Sequence, residues 1–284
     1  MTDSPASSFV PTKDDVAAFY DTSIPLINEL VGDNVHVGYW SSSGDESSLQ
    51  EATDRMTDMV IERLAVKPGA RVLDVGCGLG APAIRLAKTA GVHVVGIATS
   101  PNLIEAATES ARRAGVAEQV TFEVVDAEEL SYPDESFDAV MAIESLVHMN
   151  DRPRAFHHIA RVLRPGGRLV LTDRVEITTP NGRERQVLDA YRRLSMNVPF
   201  LKLDEYFRFL IDVRLLPIEY RDITPETAAH QLHMLEAIER QSTETGQALD
   251  PAVLSAGKAV FTDLFEAKLP TNMLLVAELG APRD

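Results

Sequence analysis

Arg71-Val72-Leu73-Asp74-Val75-Gly76-Cys77-Gly78-Leu79-Gly80-Ala81-Pro82 is the run from which the fold is read. Val72 to Val75 is short, apolar and rich in β-branched residues, the pattern of a buried strand. Glycine then falls at every second position, so the backbone can turn tightly and admit a ligand at close range. Pro82 presets a helical φ in the first turn of a helix predicted to reach about Lys88. Strand, glycine loop and helix start together form a nucleotide-binding turn, with the positive end of a helix behind it.

Two chemistries share such a turn. Gly76-x-Gly78-x-x-Ala81 also fits the dinucleotide fingerprint of a dehydrogenase, which requires an acid roughly twenty residues on, after the second strand. That strand is Val92-His93-Val94-Val95-Gly96-Ile97, and Ala98 and Thr99 follow it. Asp74 would repel a pyrophosphate, whereas a sulfonium-bearing amino acid with a free ammonium group would be attracted. The local charge therefore favours S-adenosylmethionine.

The pattern around this run alternates strand and helix, as a parallel sheet with crossovers requires. Val120–Val125, Phe137–Ile143 and Arg168–Thr172 read as strands three to five. Ser100 with Pro101 opens one helix, Asp151-Arg152-Pro153 another, and Leu49–Ala65 is an amphipathic helix ahead of the first strand. Residues 1–12 are polar. Two helices are expected next, one to Tyr20 and one capped by Ser23 and ended by Gly32. After Asp173 the alternation breaks. Helices are expected over Arg183–Ser195, Leu203–Leu215, Pro225–Gln241 and Ala252–Leu264. Ile218–Ile223 is strand-like, and Met273–Leu279 is a last, antiparallel strand. The division expected is 1–48, an arm and helices covering the site, and 49–284, the core with a helical lid at about 174–217.

Bulk properties narrow the class. The chain has 284 residues, 45% of them hydrophobic and 25% charged, which is ordinary globular composition. A formal net charge of −16 without a basic tract argues against nucleic acid and anionic membranes as partners. No apolar run reaches the roughly eighteen residues of a membrane span, and Met1 to Pro5 lacks a signal-peptide pattern. A cytoplasmic enzyme acting on a small molecule is expected, with no metal. Cys77 is the single cysteine, so an intrachain disulfide is excluded. The apolar face around Val16–Tyr20 could join a second copy into a homo-oligomer.

Four motifs fall at strand ends: Asp74-x-Gly76-x-Gly78-x-Gly80, Asp126-Ala127, Phe137-Asp138-Ala139 and Leu163-Arg164-Pro165-Gly166-Gly167. In this order the chain resembles a class I S-adenosylmethionine-dependent methyltransferase. Tyr20-Asp21, His36-Val37-Gly38-Tyr39-Trp40 and Glu144-Ser145-Leu146-Val147-His148-Met149 are similar to the actinomycete natural-product branch, which holds O-methyltransferases, C-methyltransferases and a cyclase. The resemblance implies an α/β, doubly wound, Rossmann-like fold with a seven-stranded, mostly parallel sheet.

The resemblance also implies roles. Gly76, Gly78 and Gly80 would lie under the methionine part of the cofactor, with Cys77 a small residue beside it and Asp74 near the ammonium group. Asp126 would take the adenine amino group, with Ala127 and Glu128 adjacent. Tyr39 and Trp40 would close over the methionine end. Ala98 departs from the acid usual there, which leaves Thr99, Ser100 or Asn102 for the ribose. Glu144 is a ligand candidate for cofactor or reaction.

For the acceptor, His148 is the candidate base, with Asp173 to orient it and Tyr20 and Ser145 nearby. Tyr191, Phe200, Tyr206, Phe207 and Phe209 offer aromatic surface, either as core or as a pocket for a carbocation. Methylation of carbon on a bulky terpenoid or prenyl chain, with cyclisation as a sequel, ranks slightly ahead of methylation of a sugar or polyketide hydroxyl. A cofactor-holding cyclase is the third reading.

Overall fold

Parallel strands covered on both faces need nearly continuous apolar runs, and the central strands have them. In the computed structural model, which describes residues 9–31, 34–42, 44–245 and 251–281, β1 (Arg71–Val75) pairs in parallel with β2 (His93–Ala98) and β4 (Phe137–Ile143). The outer strand β3 (Val120–Val124) pairs with β2, and β5 (Leu163–Glu176) with β4. β8 (Thr271–Leu279) lies antiparallel between β5 and β7 (Leu215–Asp222). The order β3-β2-β1-β4-β5-β8-β7 places the reversal of strand order between β1 and β4, where α/β sheets bind ligands.

The helices sit where capping chemistry puts them. α2 (Leu49–Leu64) starts on a Ser48–Glu51 capping box. α3 (Ala81–Ala90) follows the glycine loop, and α4 (Pro101–Arg113) is capped by the Ser100 hydroxyl. α5 (Arg152–Val162) is capped by Asp151. One apolar layer, with Met56, Val60, Leu86 and Ile104, covers one face of the sheet; Phe137, Phe156, Leu163 and Tyr206 belong to the other.

Several expectations change. The first two helices are one, α1 (Lys13–Val31). Ser23 does not cap a second helix: its hydroxyl donates back to the Phe19 carbonyl at 2.7 Å, as Thr22 does to Ala18. The stop expected at Gly32 lies outside the described residues. Strand five is longer than Arg168–Thr172, because β8 supplies partners as far as Val175. Among the described residues the sheet has eight strands rather than seven, since the two-residue β6 (Leu201–Lys202) pairs with the end of β5.

Beyond β5 come α6 (Gly182–Leu194) and α7 (Leu203–Asp212). The long helix expected from Pro225 is split into α8 (Thr224–Thr227) and α9 (His230–Thr245), and α10 (Pro251–Ala267) follows. Within the segment expected to be a lid, α7 is a core helix. Tyr206 and Leu210 are fully buried, and Tyr206 packs edge-on against Phe156 at 5.2 Å.

Candidate active site

A cavity of ≈ 290 Å³ opens at the carboxyl ends of β1 and β4. Its floor begins with Asp74, Gly76, Cys77 and Gly78 after β1. Gly76, Gly78 and Gly80 take φ of +76°, +52° and +85°, which a residue with a Cβ adopts only at a cost. Thr99 and Ser100 after β2, and Asp126, Ala127 and Glu128 after β3, continue the wall. Glu144, Ser145 and His148 enter from the loop after β4. The roof is Lys13, Phe19 and Tyr20 of α1, with Tyr191 of α6, His230 and Gln231 of α9 and Phe261 of α10.

The electrostatics are set by burial. Asp74 is 2% exposed, its Oδ2 has no hydrogen-bond partner among the described residues, and burial pushes its carboxyl up to about 7. Burial alone would also raise Glu144, but the Arg174 guanidinium, 2.5 Å away, holds it below the ordinary carboxylate range. Glu144 Oε1 accepts the Val37 N–H at 3.0 Å, and Glu144 itself sits at φ +51°. Charge buried in this way is held only while both partners remain. Changing Arg174→Met or Glu144→Gln alone is expected to cost about 3–5 kcal/mol of stability, read as a lower urea midpoint with an unchanged m-value.

His148 is fixed by both ring nitrogens. Nδ1 lies 2.9 Å from the Met196 carbonyl oxygen, so Nδ1 carries the proton. Nε2 lies 2.8 Å from the Tyr20 hydroxyl and accepts from it. Burial pulls the ring down to about 4 against the favourable Met196 bond, so at neutral pH it is a neutral imidazole with its single proton on Nδ1. His230 is the opposite tautomer: its Nδ1 accepts the Gly38 N–H at 3.1 Å, which leaves the proton on Nε2. Burial likewise lowers His230 to about 4.

α1 is tied down between Lys13 and Asp21. Lys13 bridges Asp126 and Glu128, the latter at 2.9 Å, and Asp21 accepts from the Ser100 hydroxyl at 2.7 Å. With Tyr20 on His148, these contacts span the cavity. Val16 and Tyr20 face this cavity.

Residues 73–171 match the family described as a methyltransferase domain. The chain is 42% identical over 218 residues to the 27-O-demethylrifamycin SV methyltransferase of Amycolatopsis mediterranei, covering 76% of this chain and 79% of that one. It is 38% identical over 268 residues to methyltransferase GfsG of Streptomyces halstedii, 94% of each chain. The chain belongs to the class I S-adenosylmethionine-dependent methyltransferases. Its structure is also similar to that of the (4+2) cyclase SpnF, with a TM-score of 0.81 and 30% identity over 98% of this chain and 100% of that one.

The residues of this methyltransferase fit its cofactor. Buried Asp74 Oδ2 and Ser145 Oγ both lack partners among the described residues and both border the cavity. A Cβ on Gly76 would stand 2.3 Å from the Ser145 Cβ, so the chain is packed to leave this loop bare.

Several residues singled out in the sequence do not line the cavity. Gly80 is the N-cap of α3 and packs on Phe122. Tyr39 and Trp40 are buried against other partners: the Tyr39 hydroxyl donates to Glu226 at 3.2 Å, and Trp40 stacks on His233 at 4.7 Å. His36 and Val37 of the same segment line the cavity instead. Asp173 faces the other layer, because successive strand residues point to opposite faces. It accepts the Tyr206 hydroxyl at 2.8 Å, while Arg174 faces the cavity. Tyr206 and Phe207 belong to the apolar layer on the other face of the sheet, and Phe200 packs behind Tyr191 of the cavity wall rather than lining the cavity itself. Lys13, Arg174, His230 and Asn197 line the cavity without having been singled out for the site; only Arg174, next to Asp173, had a local signal.

Proposed function

We propose that the chain methylates a hydroxyl oxygen of a polyketide-type natural product, with His148 as the base. The observation that carries this reading is the His148 ring. Its Nδ1 proton is committed to the Met196 carbonyl, and its lone pair on Nε2 is presented to the cavity under the Tyr20 hydroxyl. A hydroxyl acceptor must lose a proton as it is methylated, and a neutral imidazole fixed in this tautomer can take it. Methylation of carbon ranked ahead in the sequence partly on the strength of Phe200, Tyr206 and Phe207, which lie off the cavity. The relative at 42% identity is named for an O-demethylated rifamycin acceptor, which agrees with the oxygen reading.

S-adenosylmethionine, when bound, supplies a methyl group on a cationic sulfur. Asp74 would pair with its ammonium group, Asp126 and Glu128 would serve the adenine end, and Thr99 and Ser100 the ribose. Lys13 must then share or release Asp126. The acceptor hydroxyl would take the place of Tyr20 on Nε2, its oxygen would bond the methyl carbon as that carbon's bond to sulfur breaks and S-adenosylhomocysteine is left, and its proton would pass to His148. α1 and the end of α6 cover the cavity and exclude water.

Asp74 makes the first half of this reading pH-dependent. In the free protein it is half protonated near pH 7, and the ammonium group favours its carboxylate. Affinity for S-adenosylhomocysteine is expected to rise with pH up to about 7, losing about tenfold per unit below it. Calorimetry in buffers of differing ionisation enthalpy should show one proton released near pH 6. Binding without proton release would remove Asp74 from this role.

Turnover tests the second half. The protein is incubated with carbon-13-methyl S-adenosylmethionine and demethylated polyketides, 27-O-demethylrifamycin SV among them. Label on oxygen supports the proposal, and label on carbon overturns it. The aromatic rings of Phe19, Tyr20, Tyr191 and Phe261 in the wall are the observation favouring carbon. A product of unchanged mass and altered retention would instead place the chain with the cyclases.

A further inference from the structure

Asn197 is the most conspicuous unused group in the cavity wall. It is 1% exposed, yet neither Oδ1 nor Nδ2 has a hydrogen-bond partner among the described residues. A buried carboxamide with both ends unmet is costly, and native chains keep few of them. Its position is also determined from both sides. The carbonyl before it accepts from His148 Nδ1 at 2.9 Å, and the Val198 N–H after it donates to the Val147 carbonyl at 2.9 Å. Its own N–H is held by the Arg192 carbonyl at 2.9 Å. Met196 is at φ +49°, so a strained residue is kept to carry this turn past the base. The segment holds Asn197 in the cavity wall, one residue past the carbonyl that fixes His148, and gives its carboxamide no partner among the described residues.

We propose that Asn197 is a specificity-determining residue that binds a second hydroxyl of the acceptor, next to the one His148 deprotonates. The acceptor class is then a diol. Asn197 offers both a donor and an acceptor, and a hydroxyl answers both, whereas a carbonyl or an ether would leave Oδ1 unmet. This deepens the O-methylation reading and rests on it only for the identity of the first hydroxyl. It gives the cavity a two-point grip, with Nε2 on the reacting oxygen and the carboxamide on its neighbour, which fixes which hydroxyl meets the base.

The test uses fragments, so it does not depend on knowing the acceptor. The full chain is saturated with S-adenosylhomocysteine and titrated with cis-1,2-cyclohexanediol and with cyclohexanol. The Asn197 side-chain amide is followed by nitrogen-15 NMR. The diol is expected to bind about tenfold more tightly than the alcohol and to move the Asn197 amide signal. In Asn197→Leu, and in Asn197→Ala should the larger side chain disturb packing, the preference is expected to vanish. Asn197→Leu is also expected to melt no lower than the wild type, because it removes two unmet polar groups. Equal binding of the two fragments, a diol preference that survives both variants, or a melting temperature several degrees lower in Asn197→Leu would each overturn the proposal; the last would mean that the structure itself uses the carboxamide. Label on carbon in the turnover experiment would overturn O-methylation and leave the fragment preference to be judged separately.

Discussion

Replacing His148 by alanine is expected to lower kcat by about 10²–10⁴ while leaving S-adenosylhomocysteine affinity unchanged. The size follows from the role. Without a base, the acceptor proton must leave to water in a cavity built to exclude it. His148→Gln tests whether the loss is chemical: an amide can keep one hydrogen bond but takes no proton at neutral pH, so its kcat should fall as far. Tyr20→Phe removes only the hydroxyl seated on Nε2 and should cost less. The pH profile supplies a further check. Burial holds His148 near 4 in the folded chain, against an ordinary 6.5. The base therefore stays neutral below 6.5, and kcat at saturating S-adenosylmethionine, where Asp74 no longer limits binding, should show no acid limb centred at the usual histidine value.

The same shift has a stability cost of opposite direction. Between pH 6.5 and about 4 the unfolded chain takes up protons that His148 and His230 refuse when folded, so this contribution to stability is lost on acidification. Asp74 and Asp173 act against it. Burial raises them to about 7 and about 6, and the folded chain takes up their protons first as pH falls.

Gly76→Ala is expected to weaken S-adenosylhomocysteine binding by at least about a hundredfold and to destabilise the fold. Two costs combine: φ of +76°, about 1–2 kcal/mol for a residue with a Cβ, and a methyl placed 2.3 Å from the Ser145 Cβ, about 1–3 kcal/mol for overpacking. The loop can relieve the clash only by moving away from Ser145, which distorts the cavity floor. Gly69→Ala is the control. It has φ of +83° and nothing within 4 Å, so it should lose the conformational term alone and bind as the wild type does. Binding by Gly76→Ala at wild-type strength would remove this loop from the cofactor site.

What the sequence made legible was local. β1, β4 and the glycine loop could be read because apolar runs and positive-φ glycines carry their own signal within a few residues. α1 could not be read as one helix because Ser23 has two uses, capping forward or bonding back to Phe19, and propensity does not choose between them. Asp173 and Arg174 show the same limit on a strand. Alternation says that they oppose each other, but only the pairing of β5 with β4 and β8 decides which of them faces the cavity. Tyr39 and Trp40 pack on Glu226 and His233, partners far along the chain that no local pattern announces. Lys13 and His230 acquire meaning only from partners more than a hundred residues away, and Asn197 from a carboxamide without a partner among the described residues.

The burial of Cys77 turns the glycine loop into its own clock. It is the one thiol in the chain, 3% exposed, and burial keeps it protonated, so an alkylating reagent finds no thiolate while the loop is closed. Modification therefore requires an excursion of the loop away from β2, and where reclosing outpaces alkylation the rate of labelling measures the population of the open loop. Because Cys77 borders the cavity, a seated cofactor slows that rate by the fraction of time it is bound. A single unmutated side chain thus converts occupancy and local breathing into one chemical readout, with no acceptor and no turnover required.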